Sequence, residues 1–165
     1  MDIEVTDRLI SFLIFLPLFF VSLAIHEFAH AFTAFKYGDS TAKNEGRLTL
    51  NPIKHIDLFG SIIVPVMSFF SGFALIGWAK PVPVDRRNFK NIYRDDAVVS
   101  FAGPLSNFLL ALLFTFVLVI LVNTSTELTK NNMLLSVVTY GIYLNIFLFL
   151  FNLLPIPPLD GSHIL

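Results

Sequence analysis

His26, Glu27 and His30, in Ile25-His26-Glu27-Phe28-Ala29-His30, have the spacing H-E-x-x-H. On a helix, positions i and i+4 share a face, so the two imidazoles can offer nitrogens to one metal ion. Glu27 falls beside that face, close enough to take a proton from water at the metal without being a ligand. Zn²⁺ suits such a site, because three protein ligands hold it and a water takes the fourth position. The bland alternative is a trio of polar residues packed between helices. The surroundings speak against it. The motif follows a run that is uncharged from Leu9 to Ile25, and ionisable residues inside a membrane segment are expensive and mostly functional.

Such residues need a frame embedded in a membrane, and the composition supplies one. Of the 165 residues 55% are hydrophobic, only 14% are charged and 19 are Phe, and the mean hydropathy is +0.75. Those values predict an all-α integral membrane protein, with residues 1–165 forming one compact domain in a lipid bilayer. The net charge of −1 and the lack of a basic run give no sign of a nucleic-acid partner. With no cysteine there is no disulfide and no thiolate ligand, so a metal must rely on His and carboxylate. The N-terminal residues, Met1 to Arg8, lack the basic region of a cleavable signal peptide, so the first apolar segment is expected to stay attached.

Three transmembrane helices are expected, over 9–35, 97–122 and 133–154. The first carries H-E-x-x-H, includes Pro17 as a candidate kink and ends at Lys36-Tyr37-Gly38, where Gly38 can cap it. Residues 58–78 are apolar but interrupted by Gly60, Pro65, Ser68, Ser71, Gly72 and Gly77. They read as a re-entrant or broken segment rather than a straight span. Gly46 to Pro52 reads as a short strand entering a turn, and Pro81-Val82-Pro83-Val84 as an edge strand, so a short membrane-associated β element is expected. The last span runs into Asn152-Leu153-Leu154-Pro155-Ile156-Pro157-Pro158-Leu159-Asp160-Gly161. Its prolines exclude regular helix and leave Asp160 on unwound chain, which at membrane depth is tolerated where it lines a polar cavity.

Lys and Arg are divided unevenly. Lys36, Lys43, Arg47 and Lys54 lie in one loop and Lys80, Arg86, Arg87, Lys90 and Arg94 in another, against Arg8 alone at the N-terminus and Lys130 alone in the 123–132 link. The positive-inside rule puts both basic loops in the cytoplasm, which requires residues 58–78 to enter and leave on one side. The chemistry asks for the same parity: only then do the ends of the first and last spans, with His26, His30 and Asp160, meet at one depth. A multi-pass protein of the plasma membrane with its active site toward the cytoplasm is the expectation. For the third ligand, spacing leaves Asp160, His55, Asp57, Glu45 and Asp39 open, with His163 as a possible interfacial side chain; depth favours Asp160.

H-E-F-A-H followed far downstream by N-L-L-P-I-P-P-L-D-G resembles the site-2 protease family, the intramembrane zinc metalloproteases of the peptidase M50 type. The resemblance takes in Ala102-Gly103-Pro104-Leu105-Ser106-Asn107 and Asn51-Pro52 to Gly60, and so covers nearly the whole chain. It implies one Zn²⁺ per chain on His26, His30 and Asp160, with Glu27 as general base. By the same resemblance Asn152 positions or polarises the scissile carbonyl, as an amide donor can; the alternative is an interhelical hydrogen bond. The implied reaction is hydrolysis of a peptide bond in or beside a transmembrane segment of a protein or peptide substrate. A helix hides its carbonyls, so the substrate must unwind, and Pro81, Val82, Pro83 and Val84 could accept the unwound strand unless they are only a surface loop. The chain leaves no room for a PDZ or CBS domain and ends five residues past Asp160, so it reads as a core truncated at its C-terminus. A membrane metal-ion-binding or transport protein, or a non-catalytic relative that binds membrane helices, are the competing functions. Neither needs a base at Glu27.

Overall fold

Without water to satisfy its backbone, an apolar chain crosses a bilayer as helix, and helices carry this fold. The structure, a computed structural model, describes residues 3–71, 77–124 and 132–164. Helix α1 covers Ile3–Lys36, α2 Leu58–Ser71, α3 Ile92–Asn123 and α4 Asn132–Asn152. Within them Leu9–Lys36, Ile92–Asn123 and Met133–Asn152 are long and apolar enough to cross a membrane. This is a multi-pass membrane architecture, with α3 packed along both α1 and α4.

Lipid tails are as apolar as leucine, so helices in a bilayer are held by close packing and interhelical hydrogen bonds rather than by escape from water. The inner faces reflect this. Ala24, Ala31 and Ala34 of α1 are buried, as are Ser22, Asn107 and Asn145. Gly141 of α4 takes the ring of Phe114 where a side chain would stand. The outward faces carry exposed Leu13, Leu109, Phe116 and Leu150, a surface suited to lipid and not to water. Phe19, Leu23, Ala79, Leu144 and Leu148 form the main apolar cluster, between α1, α4 and the chain returning from α2.

The 58–78 segment doubles back. Its helix α2 opens with a six-residue π-helical turn and continues for eight residues, a reach of about 21 Å against the roughly 30 Å of a hydrocarbon core. Asp57 caps it, its Oδ1 accepting from Gly60 N–H at 2.7 Å. The returning chain is hydrogen-bonded to the start: Trp78 N–H donates to Gly60 O at 3.1 Å, and Ser61 Oγ donates to Trp78 O at 2.7 Å. One step further, Lys80 N–H donates to His55 O at 2.9 Å. The two ends of the segment therefore lie side by side. Residues 72–76, including the break expected at Gly72, lie outside the described residues, as does the 125–131 part of the link before α4.

The expected β element is not formed: the described residues contain no strand. After Gly46, Thr49 N–H turns back to Arg47 O at 3.0 Å, so the 46–50 stretch bends instead of extending. Residues 81–84 make no ladder. Pro81 and Pro83 have no N–H, and the N–H of Val82 is spent on a carboxylate in the site described below. Helix α3 also starts at Ile92, ahead of the apolar run at 97. Asn91 caps it by accepting from Arg94 N–H at 3.2 Å, and Asp95 returns the bond by accepting from Asn91 N–H at 2.9 Å. At its far end α1 closes with Gly38 at φ +107, where Asp39 N–H reaches Ala34 O at 2.9 Å and Gly38 N–H reaches Phe35 O at 3.2 Å. That paired closure needs a residue able to hold positive φ, which is why glycine stands there.

Candidate metal centre

Helix α1 brings His26 and His30 one turn apart on its buried face, with Nε2 atoms 3.0 Å from each other. The chain beyond α4, unwound by Pro155, Pro157 and Pro158, brings Asp160 Oδ2 to 3.2 Å from His26 Nε2 and 3.3 Å from His30 Nε2. Among the described residues this is the one group of three His, Cys or carboxylate side chains so arranged.

Partners on α3 and α4 decide which nitrogen of each ring is bare. His30 Nδ1 lies 2.8 Å from Val99 O, a carbonyl that can only accept, so the proton is on Nδ1. For His26 the partner is Asn107 Oδ1 at 2.6 Å. The Asn107 amide is turned that way because its Nδ2 donates to Asn145 Oδ1 at 2.9 Å. Both Nε2 atoms thus face Asp160 Oδ2 as lone pairs. Three acceptors meet with no hydrogen between them, and Asp160 Oδ2 is buried without a hydrogen-bond partner.

A cation answers that arrangement. Ligands on a tetrahedron around zinc at about 2.0–2.1 Å stand about 3.3 Å from one another, and the three atoms here are 3.0 to 3.3 Å apart. Two imidazoles and a carboxylate are a donor set that zinc accepts. Gly103 keeps the space open: a Cβ there would come within 2.2 Å of His30 Nε2 and 2.7 Å of His26 Cε1.

The turn bearing Asp160 is held from several sides. Gly161 packs so tightly on the end of α4 that a Cβ would lie 2.4 Å from Leu153 O. His163, three residues on, stands 3.4 Å from Asp96 Oδ2 of α3 and against Arg86 Nη2, while Arg86 Nε forms an ion pair with Asp96 Oδ1 at 3.0 Å.

Glu27 is buried next to the two histidines, and its Oε2 accepts from Val82 N–H at 2.8 Å. The 81–84 segment is thereby fastened to the candidate base. Arg47 fixes the same chain from behind, Nη2 donating to Lys80 O at 2.7 Å. Asp39 fixes its far end. Burial alone would raise the Asp39 carboxyl, but hydrogen bonds from Thr41, Asn88 Nδ2 and Asp85 N–H hold it below the usual carboxylate range. Asp85 itself is kept low by hydrogen bonds from the Arg87 side chain and N–H.

Other candidate ligands lie elsewhere. His55 is buried with Nε2 donating to Thr49 O at 2.9 Å, Asp57 caps α2, and Glu45 follows the short helix Thr41–Asn44. Asn152 donates from Nδ2 to Leu148 O at 2.9 Å, one turn back on its own helix. Sequence reasoning missed the orienting partners Asn107 and Val99, and the need for Gly103. A signal existed for one of them: Asn107 is an amide within an otherwise uncharged span.

Comparison with known proteins agrees with this geometry. The profile of peptidase family M50 matches residues 119–165. The chain is 48% identical over 147 residues to a Bacillus subtilis protein named "Putative zinc metalloprotease YwhC", an overlap of 88% of this chain and 64% of that one. It is 34% identical over 142 residues to "Putative zinc metalloprotease Rip2" of Mycolicibacterium smegmatis, covering 86% of this chain and 51% of that one. The chain therefore spans between half and two thirds of the length of these relatives. No solved structure matches it. With H-E-x-x-H and L-D-G brought to one point, and with relatives matched along most of its length, the chain is similar to members of peptidase family M50.

Proposed function

We propose that residues 1–165 form the core of a zinc-dependent endopeptidase that hydrolyses peptide bonds in or beside transmembrane segments of membrane proteins. The observation that carries this reading is the convergence of His26 Nε2, His30 Nε2 and Asp160 Oδ2 next to buried Glu27. In it His26, His30 and Asp160 hold the ion, and zinc when bound supplies Lewis acidity toward a water and a carbonyl.

The chain's own residues do the rest. Glu27 takes the proton of the attacking water and delivers it to the departing amine. The bond from Val82 N–H keeps one carboxylate oxygen occupied and leaves the other for that transfer. Asn152 Nδ2 carries two hydrogens, one of them donated to Leu148 O, and the second is the donor offered to the carbonyl oxygen in this reading. Pro81, Val82, Pro83 and Val84 receive the unwound substrate. Because the donor of Val82 is spent on Glu27, substrate pairing along this segment reports directly on the position of the base.

Both basic loops face the cytoplasm of the plasma membrane in this reading, and α2 with its return enters and leaves on that side. The meeting of Trp78 with Gly60 supports it. Single cysteines at Ser40 and Asn91 should label from the cytoplasmic face only, and one at Thr124 from the outside; Ser40→Cys and Asn91→Cys on opposite faces would defeat the arrangement.

The function is tested by co-expressing the protein with tagged single-span membrane proteins. Glu27→Gln should retain zinc yet cleave about 10²- to 10⁴-fold more slowly, the usual share of general acid–base catalysis. Cleavage by Glu27→Gln near the wild-type rate would exclude the proposed proton transfer, whatever the zinc content.

A further inference from the structure

We infer that Asn145, a residue of α4 that touches neither metal ligand nor reacting atoms, is a positioning residue that sets the tautomer of His26 through Asn107. The inference rests on reading His26 as a zinc ligand.

An amide in a buried network has two orientations, and its partners decide between them. Here two backbone carbonyls decide. Asn145 Nδ2 donates to Gly141 O at 2.9 Å and to Ser22 Oγ at 3.0 Å. Gly141 O cannot donate, so the oxygen of Asn145 must point the other way, where Asn107 Nδ2 donates to it at 2.9 Å. Ser22 O, 3.5 Å from Asn107 Nδ2, favours the same direction more weakly. Asn107 Oδ1 is then left to accept from His26 Nδ1–H, and His26 Nε2 is left bare toward Asp160.

Reversing the chain shows what it prevents. If the Asn107 amide turned over, Nδ2 would face His26 Nδ1 and the ring would carry its proton on Nε2, between the other two ligand atoms. That reversal sets carbonyl oxygen against carbonyl oxygen at Gly141. Asn107 and Asn145 are fully buried, so water cannot relieve the mismatch. The relay reaches across α1, α3 and α4. Interhelical hydrogen bonds of this kind add only modestly to stability, so the direction of the relay matters more than its strength.

A carboxylate in place of Asn107 would need no orienting, since either oxygen accepts from His26 Nδ1–H. This separates positioning from mere packing. Zinc affinity of the full chain in detergent is measured by competition with a chromophoric chelator, with the thermal midpoint of the metal-free protein as a check on folding. Asn145→Leu should weaken zinc binding about tenfold, at the lower end of outer-shell effects because Ser22 O still biases Asn107. In an Asn107→Asp background the same Asn145→Leu change should leave the affinity within about twofold, since nothing remains to be oriented. Wild-type affinity in Asn145→Leu, or an equal loss in both backgrounds, overturns the inference. Should Asn145→Leu not fold, the ¹⁵N-imidazole spectrum of the metal-free wild type decides alone. A proton on Nδ1 of His26 supports the relay, and one on Nε2 overturns it. A wild type that binds no zinc would instead sink the metal-site reading and leave the tautomer question to that spectrum.

Discussion

The two halves of the metal centre are built by opposite means. His26 and His30 sit on a continuous helix, and each has its far nitrogen tied to a neighbouring span, at 2.6 Å to Asn107 and 2.8 Å to Val99 O. Asp160 sits on chain that has left its helix, is partly exposed, and has an oxygen with no partner but the two histidines. The helical half is over-determined: moving one ring disturbs α3 and α4. The unwound half is held at its margins, by Gly161 on Leu153 and by His163 with Asp96 and Arg86. A hydrolytic site inside a membrane needs both kinds of support. In the proposed function the rings must not move, whereas the chain around Asp160 and 81–84 must admit a peptide.

The contrast is broken most directly by deleting one ligand from each half. His26→Ala and Asp160→Ala should both lose most of the zinc, because each removes one of three ligands. They should differ in the metal-free protein. His26→Ala strands Asn107 Oδ1 in the buried network and should cost about 1–3 kcal/mol of stability. Asp160→Ala removes a carboxylate that has no hydrogen-bond donor of its own and should leave the metal-free thermal midpoint nearly unchanged. Elemental analysis and thermal melts read the two effects, with His55→Ala as the variant expected to keep both metal and midpoint. Equal destabilisation by the two ligand deletions would erase the distinction drawn here.

A smaller effect is expected from crowding the helical half without replacing a ligand. In Gly103→Ala the new methyl would press on His30 Nε2 at 2.2 Å. Overpacking a tight interface costs about 1–3 kcal/mol, and here the strain falls on a ring whose other nitrogen is fixed. Zinc affinity should drop together with the midpoint. If the midpoint falls alone, α3 yields as a body and the rings are less fixed than the hydrogen bonds indicate.

The same division governs what could be read from the sequence. H-E-x-x-H fixes its own geometry once the helix is assumed, since i and i+4 share a face whatever surrounds them. The three spans were legible from apolar length, although α3 began early because Asn91, Arg94 and Asp95 build a polar first turn that hydropathy ignores. Apart from the family resemblance carried by N-L-L-P-I-P-P-L-D-G, Asp160 could be favoured only by depth, since no periodicity marks a ligand on unwound chain. The expected strand at 81–84 failed for a reason no local pattern carries. Its N–H at Val82 is taken by Glu27, 55 residues away. Asn145 was invisible for the same reason, since its importance lies in which way a distant amide must turn.

The smallest effect on the metal is expected where the two halves are tied together, at Asp39. This buried carboxylate stands just past the end of α1 and accepts from Asp85 N–H and Asn88 Nδ2, both at 2.8 Å, on the far side of the 81–84 segment. Its folded-state acidity is stronger than the ordinary value of 3.8, so the carboxylate stabilises the fold above pH about 4 and loses that contribution as the pH falls through its lowered folded value. Asp39→Asn keeps one acceptor but turns an amide hydrogen toward a donor, at a cost of about 1–3 kcal/mol at neutral pH. The gap in midpoint between wild type and Asp39→Asn should be widest near pH 7 and narrow below pH about 4, where the wild-type carboxyl takes up its proton. Amide exchange should locate the loss. Protection should fall at Asp85 and in the turn Arg86–Asn88 while the His26–His30 turn of α1 stays protected, because only the unwound half hangs from this carboxylate. Equal loss of protection in α1 would mean that the two halves fold and open as one unit.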